Sequence, residues 1–226
     1  MHIGIILDGN RKYAREKKLF PAYKGHIKGK EALENLLYYW VKQKEPKHLT
    51  LYAFSLYNLE NRSKIEKTFI FHLLEKGFKK ILETEEVFKN KIKILFLGKK
   101  EKCSKKLQKL MKEIEEKTKN HDKKTLSFCV CYDGQEELVE ALKKIKDKKI
   151  KNITKETIKN NIYSNELPSV DLVIRTGGEK RISGFLLWDL SYSEIIFKKK
   201  RWPEYTINDF KKDIKEYKNR KRRFGK

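Results

Sequence analysis

HIGIILDGNRK, residues 2–12, carries the reading on which the fold turns. From His2 to Leu7 the run is apolar with no alternation, the pattern of a strand covered on both faces. It breaks abruptly into Asp8-Gly9-Asn10-Arg11-Lys12, a polar turn that leads into a helical pattern through Tyr13 and Ala14. A buried strand that hands a polar turn to a helix is the building unit of a parallel α/β sheet. In such sheets ligands gather at the carboxyl ends of the strands.

The same unit recurs outward from this stretch. Leu49–Phe54, Ile92–Leu97, Leu126–Tyr132, Val170–Ile174 and Glu194–Phe197 are further runs of strand length. Helical patterns separate them; Leu107, Leu110, Met111 and Ile114 give an i, i+3, i+4, i+7 stripe. The expectation is an α/β chain with one domain over residues 1–226: an open, mainly parallel six-stranded sheet with helices on both faces. No linker, repeat or Pro/Gly-rich break divides it, and the basic stretch Asp147–Lys151 reads as a surface loop. Ala32–Val41 and Phe69–Leu82 are apolar around much of their circumference. Such helices are buried in a core, paired in a dimer interface, or walls of a cavity for a long hydrocarbon. His72 on the second reads as a core or surface histidine.

Composition narrows the classes. Fifty-five Lys and Arg against 31 Asp and Glu give a formal charge of +24. That field favours an anionic partner: nucleic acid, an anionic membrane surface or a phosphorylated small molecule. No nucleic-acid-binding motif accompanies it, and basic residues are not interleaved with aromatics in a stacking pattern, so nucleic acid is not the expected partner. Three cysteines make no disulfide framework. Cys129 and Cys131, two apart in a strand, are expected on one face as buried thiols. No signal segment opens the chain and no apolar stretch approaches membrane-spanning length. A cytoplasmic protein, at most peripheral to a membrane, is expected.

Three polar clusters fall at strand ends: Asp8–Lys12, Ser55–Asn58 followed by Arg62, and Arg175–Arg181. In the first, the backbone N–H groups of Gly9, Asn10, Arg11 and Lys12 at a helix start suit a diphosphate. Asp8 beside them can hold Mg²⁺, which takes carboxylate together with substrate phosphate oxygens. Asp-Gly-Asn is equally a good turn, and Asn58 equally a helix cap. In the third cluster Gly177-Gly178 opens the backbone while Arg175 and Arg181 offer forked donors to phosphate; a solvated basic loop is the alternative. His26 can position an acid group or cap a helix. Glu194, a carboxylate opening an apolar strand, needs a metal, water or an Arg salt bridge to explain it.

These residues resemble a known family, the cis-prenyltransferases or undecaprenyl diphosphate synthases. His2 to Arg11 resembles the family's opening H-x-x-x-I-M-D-G-N-[GR]-R-W, Gly25–Gly29 its G-H-x-x-G, and Leu49–Asn58 its L-T-L-Y-A-F-S-x-E-N-W. Asp171–Ser183, Phe185–Trp188 and Tyr192–Glu194 follow its longest signature, and Trp202-Pro203 with Arg220–Gly225 closes it. The similarity runs from His2 to Gly225 and is thin from about Lys64 to Lys124.

The resemblance implies a homodimer with an apolar tunnel, acting on isopentenyl diphosphate and an allylic prenyl diphosphate with Mg²⁺. It implies roles as well. Asp8 resembles the metal-binding aspartate, and Glu194 a second metal-site carboxylate. Gly9–Lys12 with Arg15 would hold the allylic diphosphate. Arg175, Arg181 and Ser183 would hold isopentenyl diphosphate, helped by Arg223 from the partner chain. Asn58 and His26 match polar active-site residues. Tyr57, Leu59 and Tyr13 depart from the pattern, and Arg62 sits one residue later than the family's Arg. A nucleic-acid-binding protein and a non-catalytic subunit on the same fold are the competing readings.

Overall fold

The computed structural model describes residues 1–220. Six strands, β1 (His2–Ile6), β2 (His48–Ser55), β3 (Ile92–Leu97), β4 (Lys124–Tyr132), β5 (Leu172–Arg175) and β6 (Glu194–Phe197), form one sheet in the order β3-β4-β2-β1-β5-β6. Every pair is parallel. The expected strands and α/β class are therefore found, with ends shifted by up to two residues. β5 begins at Leu172, two residues late, because the N–H groups of Val170 and Asp171 bond to Asp189 and His2 outside the ladder.

Each strand sends alternate residues to two apolar layers. Ile3, Ile5, Leu49, Leu51, Phe54, Phe128 and Ile174 join the larger layer with Leu36 and Trp40 of α2 (Gly25–Val41) and Ile70 and Phe78 of α4 (Lys64–Glu83). Leu107, Met111 and Ile114 of α6 (Lys105–Thr118) complete it, as their spacing predicts. Ile6, Tyr52, Cys129 and Val173 face the other layer, with Phe185 and Leu186. Packing on both faces explains why these strands read as continuously apolar.

The cysteine expectation is corrected here. Cys129 faces the smaller layer and Cys131 the larger. Pairing skips Cys131: Phe54 aligns with Val130 and Ser55 with Tyr132. Cys131 takes φ +49°, a bulge that turns its thiol to the face of Val130, where it lies 3.5 Å from the Cys103 sulfur.

No helix among the described residues is long and apolar enough to cross a membrane.

Candidate active site

β1 ends one residue before Leu7, and Asp8 follows at the sheet's carboxyl rim. Gly9 has φ +106°, which a side chain resists, and its turn starts the short helix α1 (Asn10–Glu16). The Asp8 backbone is fixed from two sides. The Thr176 hydroxyl accepts from its N–H (3.1 Å) and donates to its carbonyl (2.8 Å); the Trp202 N–H donates to the same carbonyl (3.0 Å). Its side chain stays more than a third exposed and accepts from Arg175 at 2.8 Å and from the Gly9 N–H at 2.7 Å.

Arg175, the last residue of β5, is only 5% exposed at its side chain. It donates to the Ser183 hydroxyl (2.8 Å) and to the Arg181 carbonyl. Its buried Nε–H has no partner among the described residues. The guanidinium is thus buried beside one carboxylate with a donor left unpaired among the described residues. Arg181 and Lys12 both pair with Glu179, whose pKa the two cations pull below the ordinary value.

β2 ends at Ser55, whose hydroxyl accepts from the Asn58 N–H (3.0 Å) and caps α3 (Leu56–Asn61). Ser55 is thus the cap, and the Asn58 side chain is left to face the cavity. Arg62 donates to Glu66 of α4 at 3.0 Å and meets His26 Nε2 at 3.1 Å. Glu66 is also 3.8 Å from Arg11 and from His26. Burial pulls the His26 pKa down, while the nearby His26 ring and the charges of Arg62 and Arg11 pull that of Glu66 down.

The Gly25-His26-Ile27-Lys28-Gly29 motif also has a steric reason. A Cβ on Gly25 would lie 2.0 Å from the Asn10 carbonyl oxygen, and one on Gly29 2.1 Å from Asn10 Oδ1. The two glycines let α2 seat directly against the start of α1.

These residues open on one cavity of about 1000 Å³. Asp8, Gly9, Asn10, Arg11, Lys12, Arg15, His26, Asn58, Arg62, Arg175, Arg181 and Ser183 all line it. From this polar mouth it runs between the sheet and the helices α2 and α4. Leu33, Leu37, Leu73, Leu74, Phe78 and Ile81 line its depth, with Ile92, Ile94 and Leu126 from the amino ends of β3 and β4. The two unusually apolar helices are its walls.

Two expected residues are not brought here. Glu194 opens β6 level with Leu172 and Ile3, at the amino end of the sheet, and pairs with Arg220 at 2.7 Å. Within one chain it does not approach Asp8; the Arg salt bridge is what accounts for it. Arg223 lies outside the described residues. Sequence reading missed Glu66 and Thr176. Glu66 had one signal, its i+4 spacing from Arg62.

The family described as putative undecaprenyl diphosphate synthase matches residues 6–225. A tritrans,polycis-undecaprenyl-diphosphate synthase (geranylgeranyl-diphosphate specific) from Thermoplasma volcanium is 40% identical over all of this chain and 88% of its own. An isoprenyl transferase from Aquifex pyrophilus is 38% identical over all of this chain and 95% of its own. Among solved structures, lavandulyl diphosphate synthase from Lavandula x intermedia, in complex with dimethylallyl diphosphate, superposes with a TM-score of 0.90. It has 29% identity and covers the whole chain and 98% of its own. A probable undecaprenyl diphosphate synthase from Campylobacter jejuni gives 0.81 at 32% identity over the whole chain and 98% of its own. With its basic rim, its apolar bore and this match over nearly its full length, the chain belongs to the undecaprenyl diphosphate synthase family, the cis-prenyltransferases.

Proposed function

We propose that the protein lengthens an allylic prenyl diphosphate by cis addition of isopentenyl diphosphate units, releasing diphosphate and building a polyprenyl diphosphate. The observation that carries this reading is the continuity of the basic rim with the apolar bore in one cavity. A diphosphate ester of a long hydrocarbon needs both at once.

Placement around the cavity supports the following roles. The N–H groups of Asn10, Arg11 and Lys12 have no partners among the described residues and point from the first turn of α1; with Arg15 they bind the allylic diphosphate. Arg175, Arg181 and Ser183 bind isopentenyl diphosphate. As the allylic C–O bond ionises, negative charge grows on the departing diphosphate and these fixed donors stabilise it. The isopentenyl double bond attacks the allylic carbon and a proton leaves. Asn58 and the Arg62–His26–Glu66 cluster close the rim beside it. Each methylene drawn into the bore contributes about 0.8 kcal/mol.

No group of three or more His, Cys, Asp or Glu among the described residues forms a metal cage. The donor set nonetheless fits Mg²⁺, which takes one or two carboxylates and completes its shell with substrate phosphates and water. Asp8 would hold it together with diphosphate oxygens. Bound there, the ion would neutralise charge on the leaving group.

We take geranylgeranyl diphosphate as the starter, because the relative from Thermoplasma volcanium carries that specificity in its name. The active form is taken to be a cytoplasmic homodimer in peripheral contact with the membrane. Light scattering would then give about twice 27.1 kDa, and a monomer mass would sink the dimer. To test the activity, labelled isopentenyl diphosphate is incubated with Mg²⁺ and with geranyl, farnesyl or geranylgeranyl diphosphate. Label should pass into long lipid products, most with the last starter, and not when the metal is chelated. Absence of any lipid product would refute the reading.

A further inference from the structure

We propose that Gly77 is the position that sets product length, by leaving a side bay in the bore for the growing hydrocarbon. This inference rests on the prenyl-transfer reading above.

Gly77 lies inside the 20-residue helix α4, where glycine is a poor helix former. Its usual structural excuses are missing. It does not cap the helix, which runs on to Glu83, and it is not among the glycines with positive φ. Nor does it permit a close approach: a Cβ built there meets nothing within 4 Å, whereas at Gly25 and Gly29 the Cβ would strike Asn10. What Gly77 does is line the cavity. Its missing side chain therefore adds free space to the bore.

The surroundings support use of that space by a ligand. Gly77 is eleven residues on from Glu66, about 16 Å along the helix axis from the polar mouth. That is far beyond the reach of a diphosphate and well within that of a prenyl tail. One turn further along, Lys80 crosses to Glu34 of α2 at 3.2 Å, and Lys30 meets the same carboxylate at 2.8 Å. All three also line the cavity. At this level the wall between α2 and α4 is therefore a bare backbone position closed by an exposed ion-pair clasp. Such clasps hold weakly, so a chain that fills the bay can spread α2 from α4.

The test compares products of the wild type with those of Gly77→Ala, Gly77→Leu and, as a control on the exposed side of the same helix, Lys76→Leu. Each is given labelled isopentenyl diphosphate and geranylgeranyl diphosphate, and products are sized. Gly77→Leu should shift the main product shorter by one or more isoprene units. With geranyl diphosphate as starter, whose two-isoprene tail stops short of Gly77, the rate of the first condensation should stay within about twofold, since the mouth is untouched. Gly77→Ala should melt higher than the wild type and shorten little, and Lys76→Leu should leave lengths unchanged. An unaltered product ladder from a folded Gly77→Leu protein overturns the proposal. So does failure of that variant to fold, because the space beyond Gly77 would then not be empty. A wild type that makes no lipid product overturns the prenyl-transfer reading instead, so the two failures are distinguishable.

Discussion

At the residue scale, the proposed chemistry turns on Asp8 and Arg175. Arg175 is almost fully buried, so its charge needs a fixed partner, and Asp8 is that partner on the protein side. Thr176, Trp202 and Gly9 hold the Asp8 main chain, so the side chain can be removed without releasing the turn. Asp8→Ala should therefore keep its circular dichroism spectrum yet lose turnover by about 10²–10³-fold or more, the usual cost of removing one group that stabilises developing charge. Single-turnover assays with labelled isopentenyl diphosphate check this; an unchanged rate counts against the mechanism. Most rim residues were legible because a polar cluster directly after an apolar strand falls at the carboxyl edge of a parallel sheet, where ligands bind. Glu66 was not, since a carboxylate among lysines reads as a solvated helix face until Arg62 and His26 are seen beside it. Cys131 was misread because a positive φ at a non-glycine residue leaves no mark in sequence.

At the element scale, helices and strands were visible from apolar runs and periodicity, but their contacts were not. The Gly25 contact is one case. A Cβ there meets the Asn10 backbone, which cannot swing aside as a side chain would. Gly25→Ala should cost about 1–3 kcal/mol by overpacking and should slow turnover by shifting the start of α1. Urea unfolding and initial rates on the same preparation measure both. The amino ends of β1 and β2 give a second case. The His2 ring accepts from Thr50 through Nε2 and donates to the Pro168 carbonyl through Nδ1, both at 2.8 Å, an arrangement of the neutral ring. Burial, with the charge of His48 adding to it, lowers its pKa to about 4. The unfolded chain takes up a proton near pH 6.5 and the folded chain does not. This contribution is therefore intact above pH 6.5 and is lost as pH falls towards about 4, by about 3 kcal/mol at most. Melting temperatures across that window should fall steeply for the wild type and less steeply for His2→Gln. Equal slopes would remove His2 as the cause.

At the scale of the whole molecule, one parallel sheet brings the chain-distant segments 8–12, 55–62 and 175–183 to the same edge and lays an apolar bore beneath them. The sequence's charge of +24 named an anionic partner without choosing one. The choice came from where the basic residues meet: at the mouth of a cavity whose depth is oily. The strand order and the route of the bore past Gly77 depend on packing between elements and were not readable in advance. The same limit applies to Glu194, whose motif placed it beside a metal while the β5–β6 register puts it at the other end of the sheet. The most direct test of a basic mouth joined to an oily bore is a crystal structure with an unreactive thio-analogue of geranylgeranyl diphosphate. Its diphosphate should lie against residues 9–12 and Arg15, with its tail between α2 and α4 towards Gly77. A tail lying on the outer surface, or a diphosphate bound away from Asp8 and Arg175, would contradict that arrangement.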